Sequence, residues 1–127
     1  MGEVRVLVCG GRDFVDYEQV GEVLDRIHAE TPIFAIIHGN ARGADTCADV
    51  WATRRKADGV RCWPFPAQWS KYGKAAGPRR NQTMLGMKPD LVVAFPGGSG
   101  TADMVRRAEA AGIPVLRPAP IAHKEQE

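Results

Sequence analysis

Asp90-Leu91-Val92-Val93-Ala94-Phe95-Pro96-Gly97-Gly98-Ser99-Gly100-Thr101 holds an apolar run, a glycine-rich turn and the start of a helical repeat in one stretch. The apolar part is rich in valine and has no polar alternation, which is the pattern of a strand covered on both faces. Beyond the glycines, Thr101, Met104, Val105, Ala108 and Ala111 recur at helical spacing and predict an amphipathic helix ending near Gly112. A strand that turns through glycines directly into a helix is half of a parallel crossover unit, so its recurrence along the chain decides the fold.

The unit does recur. Val4–Cys9 is a β-branched run ending in Gly10-Gly11, and Val20, Val23, Leu24 and Ile27 mark a helix over roughly 16–30. Ile33–Ile37 is a second strand, followed by a loop from Gly39 to Gly43 and a helix with a face of Ala44, Cys47, Ala48, Trp51 and Ala52. Asp58-Gly59 ends that helix, and Val60–Trp63 is a short third strand. Pro64 to Gly77 breaks the rhythm with prolines and aromatics. Gly77-Pro78 then opens a helix running to about Met87, with Pro78 at its first position, where a missing N–H costs nothing. Ile113–Leu116 is the last strand, placed at an edge by Pro114. This alternation predicts an α/β fold: an open parallel sheet of about five strands with helices on both faces. One domain is expected over residues 1–117, with 118–127 as a poorly ordered tail. Such sheets bind ligands outside the carboxyl ends of their strands, at a topological switch point.

Composition narrows the function. The 127 residues include 17 Lys plus Arg against 15 Asp plus Glu, a net of +2, which disfavours a general nucleic-acid binder. No apolar run approaches the roughly 20 residues that span a bilayer, and no signal-peptide pattern opens the chain, so a cytoplasmic protein without membrane contact is expected. Cys9, Cys47 and Cys62 have no CxxC spacing, and His28, His38 and His123 form no HxxxH pair, so no metal site is expected.

The chemistry-bearing residues follow strands. Gly97, Gly98, Ser99, Gly100 and Thr101 offer close backbone approach, N–H groups at a helix start and two hydroxyls, a combination suited to phosphate. The structural alternative is a tight turn with Ser99 or Thr101 as helix cap. Gly10-Gly11-Arg12-Asp13 fits neither GxGxxG nor GxxxxGK[ST], and no acid closes the second strand, which argues against nicotinamide redox chemistry and a Walker ATPase and leaves no cofactor expected. Arg12 has the forked donors that hold phosphate or carboxylate. Arg42 is expected to face the same crevice, with Asp45 orienting a ribose hydroxyl, acting as a base, or simply serving the helix dipole. Helical spacing from Met84 turns Arg80 and Asn81 inward and Arg79 toward solvent. An inward Arg80 needs an anion, either a ligand phosphate or an internal carboxylate such as Asp45 or Asp13. Trp69 and Tyr72 suit base stacking, a lid, or packing of the long loop.

Together, Cys9–Phe14, His38-Gly39 through Asp45, Ala76–Met84 and Phe95–Met104 resemble the SLOG superfamily, and within it the small YspA/YpsA-related branch. The resemblance covers nearly the whole chain and implies a Rossmann-like fold that binds nucleotides or nucleotide-derived ligands, with a homodimer suggested by LOG-like relatives. LOG-type enzymes cleave the N-glycosidic bond of nucleoside monophosphates with a PGGxGTxxE motif and an upstream arginine. By that likeness Gly97, Gly98, Gly100 and Thr101 cradle phosphate and Arg80 matches the arginine. The motif's closing glutamate falls on Met104, whose thioether can neither take a proton nor stabilise an oxocarbenium-like centre. Ligand binding as a sensor or accessory protein is therefore favoured over hydrolysis. A phosphoribohydrolase would need Asp45, Asp13 or Asp103 as its acid or base, and a DNA-handling role is a third, weaker alternative.

Overall fold

The computed structural model describes residues 2–119. Its strands are β1 (Val4–Cys9), β2 (Ile33–His38), β3 (Arg61–Pro64), β4 (Leu91–Ala94) and β5 (Val115–Leu116). Its helices are α1 (Tyr17–Glu30), α2 (Ala44–Arg54), α3 (Trp69–Tyr72), α4 (Ala76–Leu85) and α5 (Ser99–Ala110). The strands form one parallel sheet in the order β3-β2-β1-β4-β5. The chain winds outward from β1 through β2 to β3, then crosses back to place β4 on the other side of β1. The switch point thus lies between β1 and β4, where Val6 pairs with Leu91 and Cys9 with Ala94.

The strand period of two divides the core into two layers. Val6, Val8 and Ile36 face α1 and α2, where they pack with Val20, Leu24, Ala48 and Trp51. Leu7, Cys9, Ile37 and Val92 face the other way, against Met84 of α4 and Met104, Val105 and Ala108 of α5. A fully buried aliphatic side chain of this kind contributes about 1.5–3 kcal/mol relative to exposure. Both layers need apolar residues on consecutive positions of each central strand, which explains the absence of polar alternation. Asp16 caps α1 by accepting from the Gln19 N–H at 3.0 Å. In α2 the small residues Ala44, Cys47, Ala48 and Ala52 are all buried, so the helix lies close to the sheet.

Several boundaries differ from expectation. The long loop after β3 contains α3 and a 3-10 turn over Gly73–Ala75, which leads directly into α4. Helix α4 therefore starts at Ala76, and Pro78 occupies its third position rather than its first. Proline is tolerated there for the same reason, since none of the first four N–H groups of a helix has a partner within it. The second helix stops at Arg54, and a separate 3-10 turn, Lys56–Asp58, reaches Gly59. Strand β5 pairs with β4 alone among the described strands, and Pro114 just precedes it. The Gln19 amide donates to the Ala119 carbonyl, so the start of the expected tail touches α1. Residues 120–127, including His123, lie outside the described residues. No described helix is long and apolar enough to cross a membrane.

Candidate functional site

A cavity of about 740 Å³ opens at the carboxyl ends of β1 and β4. The strand-end loops that form it are joined to each other. The Gly11 N–H donates to Pro96 O at 2.8 Å, and Phe14 stacks on Phe95 with ring centroids 5.1 Å apart. A side chain at Gly97 would strike Thr101 Oγ1 and lie 2.7 Å from the Gly11 nitrogen. Similarly, a Cβ on Gly10 would lie 2.6 Å from that of Ala44. The lack of side chains at Gly10, Gly11 and Gly97 thus serves contact between protein segments. Gly98 and Gly100 have open space where a Cβ would stand, and both line the cavity.

Three helix starts converge on this space, those of α2, α4 and α5. Gly98 caps α5 with no side-chain hydrogen bond, so the first N–H groups of the helix keep their capacity to bind an anion. Arg80, half-buried on α4, donates through Nη1 to the carbonyls of Gly39 and Phe65 and through Nε to Asn81 Oδ1. Among the described residues, Nη2 of Arg80 donates no hydrogen bond to protein, and no ion pair includes this arginine. Burial lowers its pKa, an effect that the Asp45 charge opposes and the Arg12 charge assists. The adjacent Asn81 is buried and donates to Gly100 O at 3.2 Å and to Asp103 Oδ2 at 3.0 Å, tying α4 to the first turn of α5. Arg79 is exposed and lies over the Tyr72 ring at 4.2 Å.

The three candidate acids are separated by their surroundings. Asp45 is buried and lines the cavity, with Oδ2 accepting the N–H groups of Gly39 at 3.1 Å and Ala41 at 3.2 Å. Burial pushes its carboxyl up, outweighing the Ala41 N–H and the charges of His38 and Arg80. Asp103 also lines the cavity but is held by Arg107 at 2.8 Å, by Asn81 and by Arg106. Burial alone would raise it, but those donors and charges win and hold the carboxyl below its usual range. Asp13 points into solvent and pairs with exposed Arg42 at 3.7 Å. Neither Asp13 nor Arg42 lines the cavity, so the expectation that Arg42 faces the crevice is corrected; it sits outside, on the solvent side of the loop. Arg12, Ser99 and Thr101 do line it, as does Lys74, a cation that no sequence pattern singled out.

The Asp45 shift has a sign that can be measured. A raised carboxylate pKa means that the folded state binds more protons than the unfolded chain between about pH 3.9 and the raised value, so this group's contribution to stability falls as pH rises through that window. Asp45→Asn keeps an oxygen for the two N–H groups and removes the buried charge. We expect the variant to melt roughly 3–6 °C higher at pH 7.5, equivalent to about 1 kcal/mol, with the gain shrinking as pH falls toward 4. A variant that melts lower at pH 7.5 would show that the ionised carboxylate supports the fold.

Behind the cavity loop, His38, Asp49 and Cys62 bring their polar atoms within 4.8 Å of one another. Asp49 lies on α2 and its partners on β2 and β3, so no local sequence pattern marks it. His38 Nδ1 accepts the Asn40 N–H at 2.9 Å, so the ring proton sits on Nε2 and is donated to Asp49 at 2.8 Å. Cys62 also donates to Asp49, at 3.3 Å, and burial with the Asp49 contact pushes its thiol up to about 12. A bound metal would need both Nε2 and Sγ stripped of protons and Nδ1 converted to a donor. The Asn40 N–H opposes that conversion, and the cluster reads as a hydrogen-bonded brace for the loop that holds Asp45.

Comparison with known proteins bears on this geometry. The YspA, cpYpsA-related SLOG family matches residues 4–72, more than half of the chain. The chain belongs to this family. The matched segment runs from β1 through α3, and thus includes the Gly10-Gly11 turn and the Asp45 loop. The gene 61 protein of Mycobacterium phage D29 is similar over a longer stretch, with 39% identity across 117 residues, 88% of this chain and 94% of the phage protein. A match of that length carries the similarity to the phage protein past α3, across Arg80 and the loop between β4 and α5.

Proposed function

We propose that this member of the SLOG family binds a nucleotide or nucleotide-derived phosphate ligand in the crevice between β1 and β4, as a sensor or accessory protein. The observation that carries the reading is Arg80, a half-buried guanidinium facing the cavity with no carboxylate in ion-pair range among the described residues. A cation so placed has its desolvation offset when an anion arrives, and the uncapped start of α5 supplies N–H donors to the same space. Arg12 and Lys74 add positive charge at the rim.

Hydrolysis of an N-glycosidic bond is the second reading, and Asp45 is what favours it. It is a buried carboxyl lining the cavity, and burial pushes its pKa up, which makes proton transfer to or from it easier than for an ordinary surface carboxylate. Against it, Met104 is buried on the core face of α5 where a LOG-type enzyme carries glutamate, and Asp103 is engaged by two arginines.

A thermal-shift panel of nucleoside monophosphates, ADP-ribose and NAD on the full chain tests both readings. Binding at a hundred times the dissociation constant stabilises by about 2.7 kcal/mol, so a true ligand raises the melting temperature by several degrees. If no phosphate-bearing member of the panel shifts the transition, the binding proposal is wrong. Chromatography of the same mixtures for free base separates binding from hydrolysis.

A further inference from the structure

The three tryptophans are used differently. Trp51 is buried, donates to Asp25 at 2.9 Å and lies under Arg55. Trp63 packs edge-on to Phe34 and carries Arg5 at 5.3 Å from its ring centre. Trp69 has none of these: among the described residues it makes no ring contact, no cation contact and no indole N–H hydrogen bond. It is 50% exposed, yet it lines the cavity. Its benzo end rests over α4 at Gly77, where a Cβ would come within 3.2 Å of Cη2. Nearby Tyr72 is not equivalent, because Arg79 and Lys71 already lie over its ring at 4.2 and 5.2 Å and it borders a separate, smaller cavity.

We propose that Trp69 is a stacking platform for the base of the ligand, with the phosphate directed to Arg80 and the start of α5. Gly77 and Arg80 are three residues apart on α4, hence on one helix face and about 4.5 Å apart along its axis. The indole over Gly77 and the guanidinium of Arg80 therefore present an aromatic surface and a charge side by side to the same space. An amphipathic ring half in water gains by covering its free face with a planar heteroaromatic ring, while its N–H stays able to donate. The inference rests on the nucleotide-binding reading and names the substrate class more narrowly, since a sugar phosphate without a base would leave the platform bare.

The test compares ribose 5-phosphate with AMP, GMP, CMP and UMP on the full chain by isothermal titration and indole fluorescence. Stacking on an aromatic side chain typically changes affinity about tenfold or more. At least one monophosphate is expected to bind wild type at least tenfold more tightly than ribose 5-phosphate and to quench indole emission. Trp69→Ala is expected to erase that preference while leaving ribose 5-phosphate binding unchanged, and Trp69→Phe to retain most of it without the quench. Equal affinity of wild type for ribose 5-phosphate and every monophosphate, or a preference that survives in Trp69→Ala, would overturn the platform and leave the phosphate site standing. Binding of none of these probes would overturn the platform, and failure of ADP-ribose and NAD to bind as well would overturn the phosphate site.

Discussion

Arg80→Ala is expected to weaken the tightest nucleotide ligand by well over tenfold in isothermal titration, and Arg79→Ala to change it by less than twofold. The expectation follows from where the two neighbouring guanidinium groups lie. Arg80 faces the cavity with Nη2 free of protein partners among the described residues, whereas Arg79 is exposed and rests over Tyr72. Losing a buried charge-assisted hydrogen bond costs about 2–5 kcal/mol of binding. Arg80 also donates to Gly39 O and Phe65 O, so removing it loosens the cavity wall as well as discarding the charge. Arg80→Lys distinguishes the two roles, because lysine keeps the charge but not the planar fork. It should recover part of the affinity if charge dominates. Circular dichroism must show both alanine variants folded; equal affinity of wild type and a folded Arg80→Ala variant would remove Arg80 from the phosphate site.

The largest effect on stability is expected at Gly43, the residue before α2. Its φ of 86° with ψ of −129° is a conformation that side chains strongly disfavour, and a Cβ there would collide with the Gly11 carbonyl oxygen and lie 2.6 Å from the Arg12 carbonyl carbon. That carbonyl oxygen accepts the N–H groups of Phe14 and Ala44, both at 3.2 Å, so it has little freedom to retreat. Gly43→Ala should cost about 3–5 kcal/mol, a large share of the 5–15 kcal/mol typical of a domain. Gly59 provides the control. Its φ of 91° with ψ of 5° lies in the left-handed region, which side chains tolerate at modest cost, and no atom lies within 4 Å of where its Cβ would stand, so Gly59→Ala should cost only about 1 kcal/mol. Urea unfolding of the two variants reads the difference directly, and equal losses would mean that the contact with the Gly11 loop contributes nothing.

How much of this was legible depended on whether the signal was local. Val4–Cys9, Ile33–His38 and Leu91–Ala94 each announce themselves by composition and by the glycines that follow, so their existence and parallel packing could be read directly. The inward turn of Asn81 and burial of Met84 followed from helical spacing, and both are buried. Strand order was not legible, because nothing within a strand states its neighbour. The direction of Arg42 is illegible for a related reason: loop residues have no period from which to derive a direction, and its charge meets Asp13 at the surface. The brace of His38, Asp49 and Cys62 needed β2, α2 and β3 to be brought together before it could be seen. Glycine in the turns signals close approach. At Gly10, Gly11 and Gly97 the approach is to other protein atoms, a distinction that single-sequence reading does not make.

The strand order also governs when the crevice can exist during synthesis. β1, β2 and β3 with α1 and α2 emerge first and can form their mutual contacts, but the opposite wall waits for β4 and α5. The Gly11 N–H finds Pro96 only after most of the chain has left the ribosome. A nascent chain stopped before β4 would expose the β1 edge and the apolar underside formed by Leu7 and Cys9, making it a target for chaperones. A ligand that spans the two walls can recognise only the completed domain, and its binding would therefore report on finished molecules while giving arrested or truncated ones no protection from proteolysis.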